Sequence, residues 1–179
     1  TGNSHGGIVA YAEPRTLPHL TDDFVVNDGF YVMIEGIEDP YNFGYCIRSL
    51  YAFGVSGIVL PQRNWMSAEG IVARASAGAS ILTPACISDA REAAVVFKNR
   101  GFSVVCTAKD AESSLQQTSL FGPVFLIIGG EKRGISASLR SLADREIRID
   151  YTRDFSASLS AASAATIIAY EIAKQRQNR

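Results

Sequence analysis

The sequence lacks the features of a membrane or secreted protein. No run approaches the ~18–20 consecutive apolar residues that a membrane-spanning helix requires. The chain begins at Thr1, and no segment near that end resembles a signal peptide. We therefore expect a soluble, cytoplasmic protein whose first residues were removed by processing or trimming.

Cysteine and histidine are scarce. The three cysteines, Cys46, Cys86 and Cys106, lie in apolar surroundings, and their spacing matches no zinc site. Only two histidines, His5 and His19, are present, too few for a metal cluster of the usual kind. These observations predict reduced, buried thiols and no metal site.

The chain also lacks an excess of either charge. Its 17 lysines and arginines nearly balance 18 acidic residues, giving a net charge of −1. A dedicated nucleic-acid module would be strongly basic, so the balance argues against one. It leaves open an enzyme that acts on RNA through a local basic patch.

Strand-like and helix-like segments alternate along the chain, which predicts an α/β fold with a largely parallel sheet. We expect one domain over residues 1–179, with residues 1–30 as an extended lead-in. Predicted strands cover residues 30–34, 57–60, 103–107, 124–128 and 146–149, with a short one near 8–10. Predicted helices cover residues 43–53, 68–75, 90–99, 110–117, 139–143 and 160–175.

The first candidate motif joins a strand to a helix and reads Asp39-Pro-x-Asn42-x-Gly44-x-x-x-Arg48. An asparagine at a helix start can cap the helix, and a glycine leaves room for a partner to pack closely. An arginine offers a planar fork of donors suited to phosphate. The alternative is a capped helix with a surface arginine. The buried face of this helix is predicted to comprise Ile47, Leu50, Tyr51 and Gly54.

The second motif, Gly129-Gly-Glu131-Lys-Arg-Gly134, directly follows the apolar segment at residues 124–128. The last four residues of this segment, 125–128, form an unbroken apolar run of the kind that is typical of a strand buried on both faces. Ligands of open α/β sheets bind at the carboxyl ends of their strands. The motif is neither a Walker A loop nor the G-x-G-x-x-G dinucleotide fingerprint. The alternative is a tight turn with solvated charges.

The third motif is a serine cluster, residues 156–160, that leads into an Ala-rich helix. Serines at a helix start satisfy free backbone N–H groups, and such an end can receive anions or polar ligand groups. The alternative is a capping device beside a packing face of small residues.

With these three motifs in this order, the chain resembles the SpoU (TrmH) family of RNA ribose 2′-O-methyltransferases, in the SPOUT superfamily. Asn42, Gly44 and Arg48 match the family's N-x-G-x-x-x-R motif, and Gly129, Glu131 and Gly134 match its G-x-E-x-x-G motif. Residues 158–165 fall where the family carries S-L-N-V-S-x-A-A, and smaller echoes lie at residues 5–10 and 76–79. The resemblance spans almost the whole chain.

The resemblance implies an α/β knot, in which a parallel sheet carries a C-terminal trefoil knot. It also implies a homodimer, RNA (tRNA or rRNA) as substrate, and S-adenosylmethionine as cofactor. Family members often carry an upstream RNA-binding domain. The implied cofactor contacts are Thr107, Ala108, Gly129, Gly130, Glu131, Ile149, Ser158 and Leu159, and the implied catalytic group is Asn42, Arg48, Glu131, Ser158 and Ser160.

The third motif departs from the family pattern at two positions. The family asparagine is Ser160 here, and the family serine two residues later is Ala162. A hydroxyl can cap a helix but cannot offer both an amide donor and an amide acceptor. The alternative function is therefore a homologue that binds RNA or S-adenosylmethionine without efficient turnover. A Rossmann-like nucleotide enzyme is a third alternative, disfavoured by the missing phosphate-loop glycines.

Overall fold

The structure, a computed structural model, describes residue 13 and residues 15–37, 39–62, 64–130 and 134–178. The predicted strand near residues 8–10 lies outside these ranges. In the described part, seven strands form one sheet: β1 Phe30–Ile34, β2 Gly57–Leu60, β3 Ala85–Ile87, β4 Ser103–Thr107, β5 Ser113–Ser114, β6 Val124–Ile128 and β7 Arg145–Arg148.

The described residues also form six α-helices, of which the last follows the final strand: α1 Pro40–Ala52, α2 Glu69–Ala75, α3 Ala79–Leu82, α4 Ala90–Asn99, α5 Ala137–Arg140 and α6 Ala161–Gln177. Short 3-10 helices cover Asp22–Phe24, Trp65–Ala68 and Leu115–Gln117.

The strands lie in the order β3-β2-β1-β6-β4-β7-β5, and every paired neighbour is parallel. The α/β class with a parallel sheet is thus confirmed. From β1 the chain moves outward to β2 and β3, then returns to build the other half around β4 and β6. The change of direction falls between β1 and β6, and ligands bind at such a point in open α/β sheets.

The core has two layers because the sheet is covered on both faces. On one face, α1 and α6 pack on side chains such as Val32 and Leu126. On the other, α4 packs on Tyr31 and Phe125, and the rings of Phe97 and Phe125 stack with centroids 4.1 Å apart. Strands β1 and β6 are buried along their full length, which confirms the burial predicted for the apolar segment at residues 124–128.

Four strands, β1, β2, β4 and β6, have the predicted bounds, and β7 begins and ends one residue earlier than predicted. Helix α4 also has its predicted bounds, and the Asp89 carboxylate caps it by accepting from the N–H of Arg91 at 2.9 Å. Helix α5 begins two residues before the predicted start.

The predicted helix over residues 110–117 is wrong. That segment forms β5 and a 3-10 helix, because β5 pairs with β7 and so extends the sheet. Strand β3, which was not predicted, has only three residues and carries little periodic signal. The predicted buried face of α1 is wrong at Tyr51 and Gly54: Tyr51 is 44% exposed, and Gly54 is exposed beyond the end of the helix, whereas Ile47 and Leu50 are fully buried.

Candidate active site

A cavity of about 620 Å³ opens at the carboxyl ends of three adjacent strands, β6, β4 and β7. Its floor is formed where these strands end, at Ile128, Thr107 and Arg148. The segment between β7 and α6 and the first turns of α6 complete its wall, through residues such as Tyr151 and Ala164. This position, beside the change of direction in the sheet, is the expected one for a ligand site.

The cavity collects the predicted cofactor residues that the structure describes. Although they come from four separate parts of the chain, seven of them line it: Thr107, Ala108, Gly129, Gly130, Ile149, Ser158 and Leu159. The eighth, Glu131, lies outside the described residues.

Gly129 and Gly130 are required by contacts with neighbouring backbone. A Cβ on Gly130 would lie 2.2 Å from the carbonyl oxygen of Gly36, and one on Gly129 would lie 2.6 Å from the carbonyl carbon of Gly134. The N–H of Gly134 donates to the carbonyl oxygen of Gly130 at 2.9 Å. The closest neighbours of Gly130 thus lie in the loop after β1 and those of Gly129 at the far end of its own loop, and the cavity lies beside both glycines.

An ion-pair network braces one side of the cavity. Arg140 donates from Nε and Nη2 to the two carboxylate oxygens of Glu146, at 2.8 and 2.6 Å, and its Nη2 lies 3.0 Å from Asp110 Oδ1. Hydrogen bonds from Arg140 hold the pKa of both carboxyl groups below their usual values. The network ties the loop after β4, helix α5 and strand β7 together.

A second arginine holds the adjacent turn. Arg148 donates from Nε to Asp150 Oδ1 at 2.9 Å and from Nη1 to the carbonyl oxygens of Ala111 and Glu112, the former at 2.7 Å. Neither Arg140 nor Arg148 was predicted from the sequence to line the cavity. Arg148 stands at the end of a predicted strand and could have been suspected from that position, whereas nothing in the sequence pairs Arg140 with Glu146.

The residues of the first motif lie on α1. The cap of this helix is Asp39, whose carboxylate accepts from the N–H of Asn42 at 2.7 Å, so the expectation that Asn42 itself caps the helix is wrong. Gly44 provides the predicted close packing, because a Cβ there would lie 2.5 Å from the Cβ of Ala75 on α2. The chain therefore needs glycine at this position for its fold.

Arg48 is exposed on α1, and in the described part of the chain its side chain makes no hydrogen bond or ion pair. Tyr41, Tyr45 and Arg48 stand at i, i+4 and i+7 and share one face of the helix, on which each tyrosine is 47% exposed. None of the described residues that line the cavity is Asn42, Arg48 or Ser160. In a single chain, the predicted catalytic residues on α1 are therefore separate from the cavity lining.

Ser158 and Ser160 have different positions. Ser158 lines the cavity. Ser160 caps α6, since its hydroxyl oxygen accepts from the N–H of Ser163 at 3.1 Å, as predicted for the serine cluster. Ala161 and Ala164, in the first turn of α6, also line the cavity, so the positive end of the helix dipole lies next to it.

The cavity fits a cofactor that is part polar and part apolar. Its size lies within the range of ligand pockets, about 300–1,000 Å³. Ile128, Ile149 and Leu159 give apolar surface, while Gly129 and Ala108 bring backbone groups. No group of three or more His, Cys, Asp or Glu residues in the described ranges could hold a metal ion. None of the helices in those ranges is long and apolar enough to cross a membrane.

The chain is thus an α/β protein with a parallel sheet and a cavity at the edge where open α/β sheets bind their ligands. The chain belongs to the SpoU rRNA Methylase family, whose sequence model matches residues 29–170. The family predicted from the three motifs is thereby confirmed.

Curated relatives agree with this assignment. The chain is 31% identical over 181 residues to an uncharacterized tRNA/rRNA methyltransferase of Mycolicibacterium vanbaalenii, covering 97% of this chain and 57% of that protein. It is 28% identical to the 23S rRNA (guanosine-2′-O-)-methyltransferase RlmB of Shewanella oneidensis, covering 97% of this chain and 72% of that protein. The chain thus spans little more than half the length of the first of these relatives.

Solved structures share the fold. The SpoU methyltransferase AviRb from Streptomyces viridochromogenes, in complex with the cofactor AdoMet, superposes with a TM-score of 0.78 at 27% identity, covering 90% of this chain and 66% of that one. The TrmH/SpoU tRNA modifying enzyme of A. aeolicus superposes with a TM-score of 0.74 at 26% identity, covering 84% and 77%.

Proposed function

We propose that this protein transfers the methyl group of S-adenosylmethionine to the ribose 2′-OH of an rRNA or a tRNA. One observation carries the proposal. Seven residues expected to bind the cofactor, drawn from four parts of the chain, line a single cavity at the ligand edge of the sheet. Relatives named as rRNA 2′-O-methyltransferases and a cofactor-bound structural neighbour support the same activity.

S-adenosylmethionine would supply an activated methyl group on its sulfonium. The chain would bind it through the backbone at Gly129 and Gly130 and through the apolar side chains of Ile149 and Leu159. Thr107, Ala108 and Ser158 would complete the contacts, and Glu131 would brace the loop between Gly130 and Gly134. Exclusion of water and alignment of the 2′-OH then give most of the rate acceleration.

Arg48 would bind the phosphate next to the reacting ribose and orient the hydroxyl. A free guanidinium is not deprotonated in proteins, so Arg48 is not suited to act as a general base. Its fixed positive charge and planar set of donors suit it to binding the phosphate and orienting the hydroxyl. The Arg48 side chain is exposed and has no hydrogen-bond or ion-pair partner among the described residues, so its N–H donors are available to RNA. Asn42, one and a half turns earlier, would hold the loop that precedes the helix.

A homodimer would complete the site. The exposed apolar side chains of α1 and α6 include Tyr41, Tyr45, Ile167 and Tyr170, and a second copy packed on this surface would cover them. Arg48 shares a helix face with two of these tyrosines. Such a homodimer would bring a partner's cavity next to Arg48, and the lining of a single chain would then not include this residue.

A trefoil knot is the connection that we propose for the C-terminal part. Strand β7 lies near one end of the sheet, yet the helix that follows it packs on α1, where Thr166 Oγ1 donates to Ser49 Oγ at 2.7 Å. The chain must therefore cross back over the edge where β4 and β6 end. A crystal structure that traces residues 125–160 tests this threading, and an unthreaded path contradicts it. We also propose that residues 1–179 act as one methyltransferase domain.

The cofactor site can be tested by filling the cavity. Ala164 lines it, whereas Ser163, on the same turn of α6, is exposed. We expect Ala164→Met to weaken S-adenosylmethionine binding at least tenfold by calorimetry, and the matched Ser163→Met to leave it within about twofold. Equal affinity of both variants and the unaltered chain would place the cofactor elsewhere. Tight binding without transfer to any RNA would instead favour the non-catalytic homologue.

A further inference from the structure

The segment between β7 and α6, residues 149–160, forms much of the cavity wall without helix or strand structure of its own. We call it the strap. Residues 152–158 are exposed, so the hydrophobic core does not fix their positions. Segments with few buried contacts open at low free energy. Their geometry must then come from specific polar contacts.

One such contact comes from Lys109, in the turn directly after β4. Its ammonium group donates to the carbonyl oxygens of three consecutive strap residues: Phe155 at 3.0 Å, Ser156, and Ala157 at 3.4 Å. An ammonium group has three donors, and the three carbonyl oxygens can use all of them. Lys109 also lines the cavity, so one side chain joins the floor of the site to its wall.

A second contact fixes the two ends of the strap to each other. The Tyr151 hydroxyl oxygen accepts from the N–H of Leu159 at 3.0 Å. Its ring also lies near that of Phe155, with centroids 6.3 Å apart. Leu159 and Tyr151 both line the cavity, so this hydrogen bond fixes the separation of two residues in the cavity wall.

We infer that Lys109 and Tyr151 are positioning residues that hold the strap against the cofactor site and so determine cofactor affinity. The inference rests on the proposed function, because it names S-adenosylmethionine as the ligand behind the strap. Lys109 acts on three backbone carbonyls and Tyr151 on one backbone N–H. Neither contact requires a buried side chain, so their loss should open the strap and leave the core intact.

The variants for the test are Lys109→Met and Tyr151→Phe, which keep most of the side-chain volume and remove the polar contacts. Lys174→Met is the matched control, since Lys174 lies on an exposed part of α6 and pairs with Glu171. We expect each strap variant to raise the dissociation constant for S-adenosylmethionine about tenfold. The control should bind like the unaltered chain.

Two further readouts separate positioning from general stability. The backbone amide of Leu159, which donates to the Tyr151 hydroxyl oxygen, should exchange hydrogen faster in Lys109→Met, while the amides of β1 and β6 keep their protection in both strap variants. In transfer assays, KM for the cofactor should rise while kcat changes less than twofold, and Lys109→Arg should restore part of the affinity.

Cofactor affinity within twofold of the unaltered chain in both strap variants overturns the inference while the proposed function stands. Unchanged exchange of the Leu159 amide in Lys109→Met overturns it as well. Failure of the unaltered chain to bind S-adenosylmethionine contradicts the proposed function itself, so the two failures are distinguishable.

Discussion

Gly130 and Gly36 are in direct backbone contact. A methyl group on Gly130 would lie 2.2 Å from the carbonyl oxygen of Gly36, and Gly36 adopts a left-handed backbone conformation with φ of 66°. The two residues follow adjacent parallel strands, β6 and β1. Their contact joins the loop that borders the cavity to the loop that leads into α1, which carries Arg48.

Replacing Gly130 by alanine should destabilise the fold, because backbone atoms on both sides must move to admit the methyl group. We expect a loss of about 1–3 kcal/mol in the free energy of unfolding, measured by urea denaturation. Gly122→Ala is the control, since a Cβ there meets no atom within 4 Å. Equal stability of the two variants would show that the loops do not need this close contact.

Replacing Arg48 by alanine should abolish methyl transfer and leave S-adenosylmethionine binding within about twofold. The side chain is exposed and is not among the described cavity residues, so we expect its loss to remove the proposed RNA contact and to leave the cavity unchanged. Transfer and cofactor binding are measured in parallel, with Arg91→Ala, at an exposed position of α4, as the matched control. Equal loss of transfer and cofactor binding would contradict the role assigned to Arg48.

Replacing Arg140 by methionine should lower the melting temperature at neutral pH and have less effect in acid. Arg140 depresses the pKa of Glu146 and Asp110 in the folded chain. A carboxyl group whose pKa is lower in the folded chain than in the unfolded chain stabilises the fold when the pH lies above its unfolded pKa, which is about 4. This contribution to stability is lost as the pH falls through the lower pKa of the folded chain. Melting curves from pH 7 to pH 3 should converge for the two proteins. A constant difference over this range would show that the ion pairs contribute little.

The cysteines should resist alkylation in the folded protein. All three are buried, and burial raises the pKa of Cys86 and Cys106 to about 12. At pH 8 only on the order of 10⁻⁴ of such thiols is ionised. Iodoacetamide should therefore label Cys86 and Cys106 slowly in buffer and rapidly in guanidinium. Rapid labelling of the native chain would mean that one face of the sheet opens easily.

Strands β1 and β6 can be predicted from local sequence, because an unbroken run of apolar residues is itself the pattern of a buried strand. Phe30–Ile34 and Val124–Ile128 are apolar throughout, and polar or glycine residues end each of them. Segment 110–117 was not predictable in this way. Its two-residue strand exists only because β7, about 30 residues later, offers a partner.

The residues of the candidate site also fall into two groups: those that the sequence predicts and those that it does not. Gly129 follows a predicted strand and Thr107 is the last residue of another, and the family resemblance marks both as cofactor residues. Lys109 and Arg140 were missed because their roles depend on groups in other elements of the fold: the carbonyl oxygens of residues 155–157 for Lys109, and the carboxylates of Glu146 and Asp110 for Arg140. Such contacts leave no local pattern.

The most direct test of the central claim uses S-adenosylmethionine labelled in its methyl group and unmodified rRNA and tRNA transcripts. After transfer, the RNA is digested with alkali, which cannot cleave next to a 2′-O-methylated ribose. We predict label in alkali-resistant dinucleotides from one class of RNA, and none with Arg48→Ala. Label that appears only in mononucleotides, or no label from a protein that binds the cofactor, would contradict ribose 2′-O-methylation.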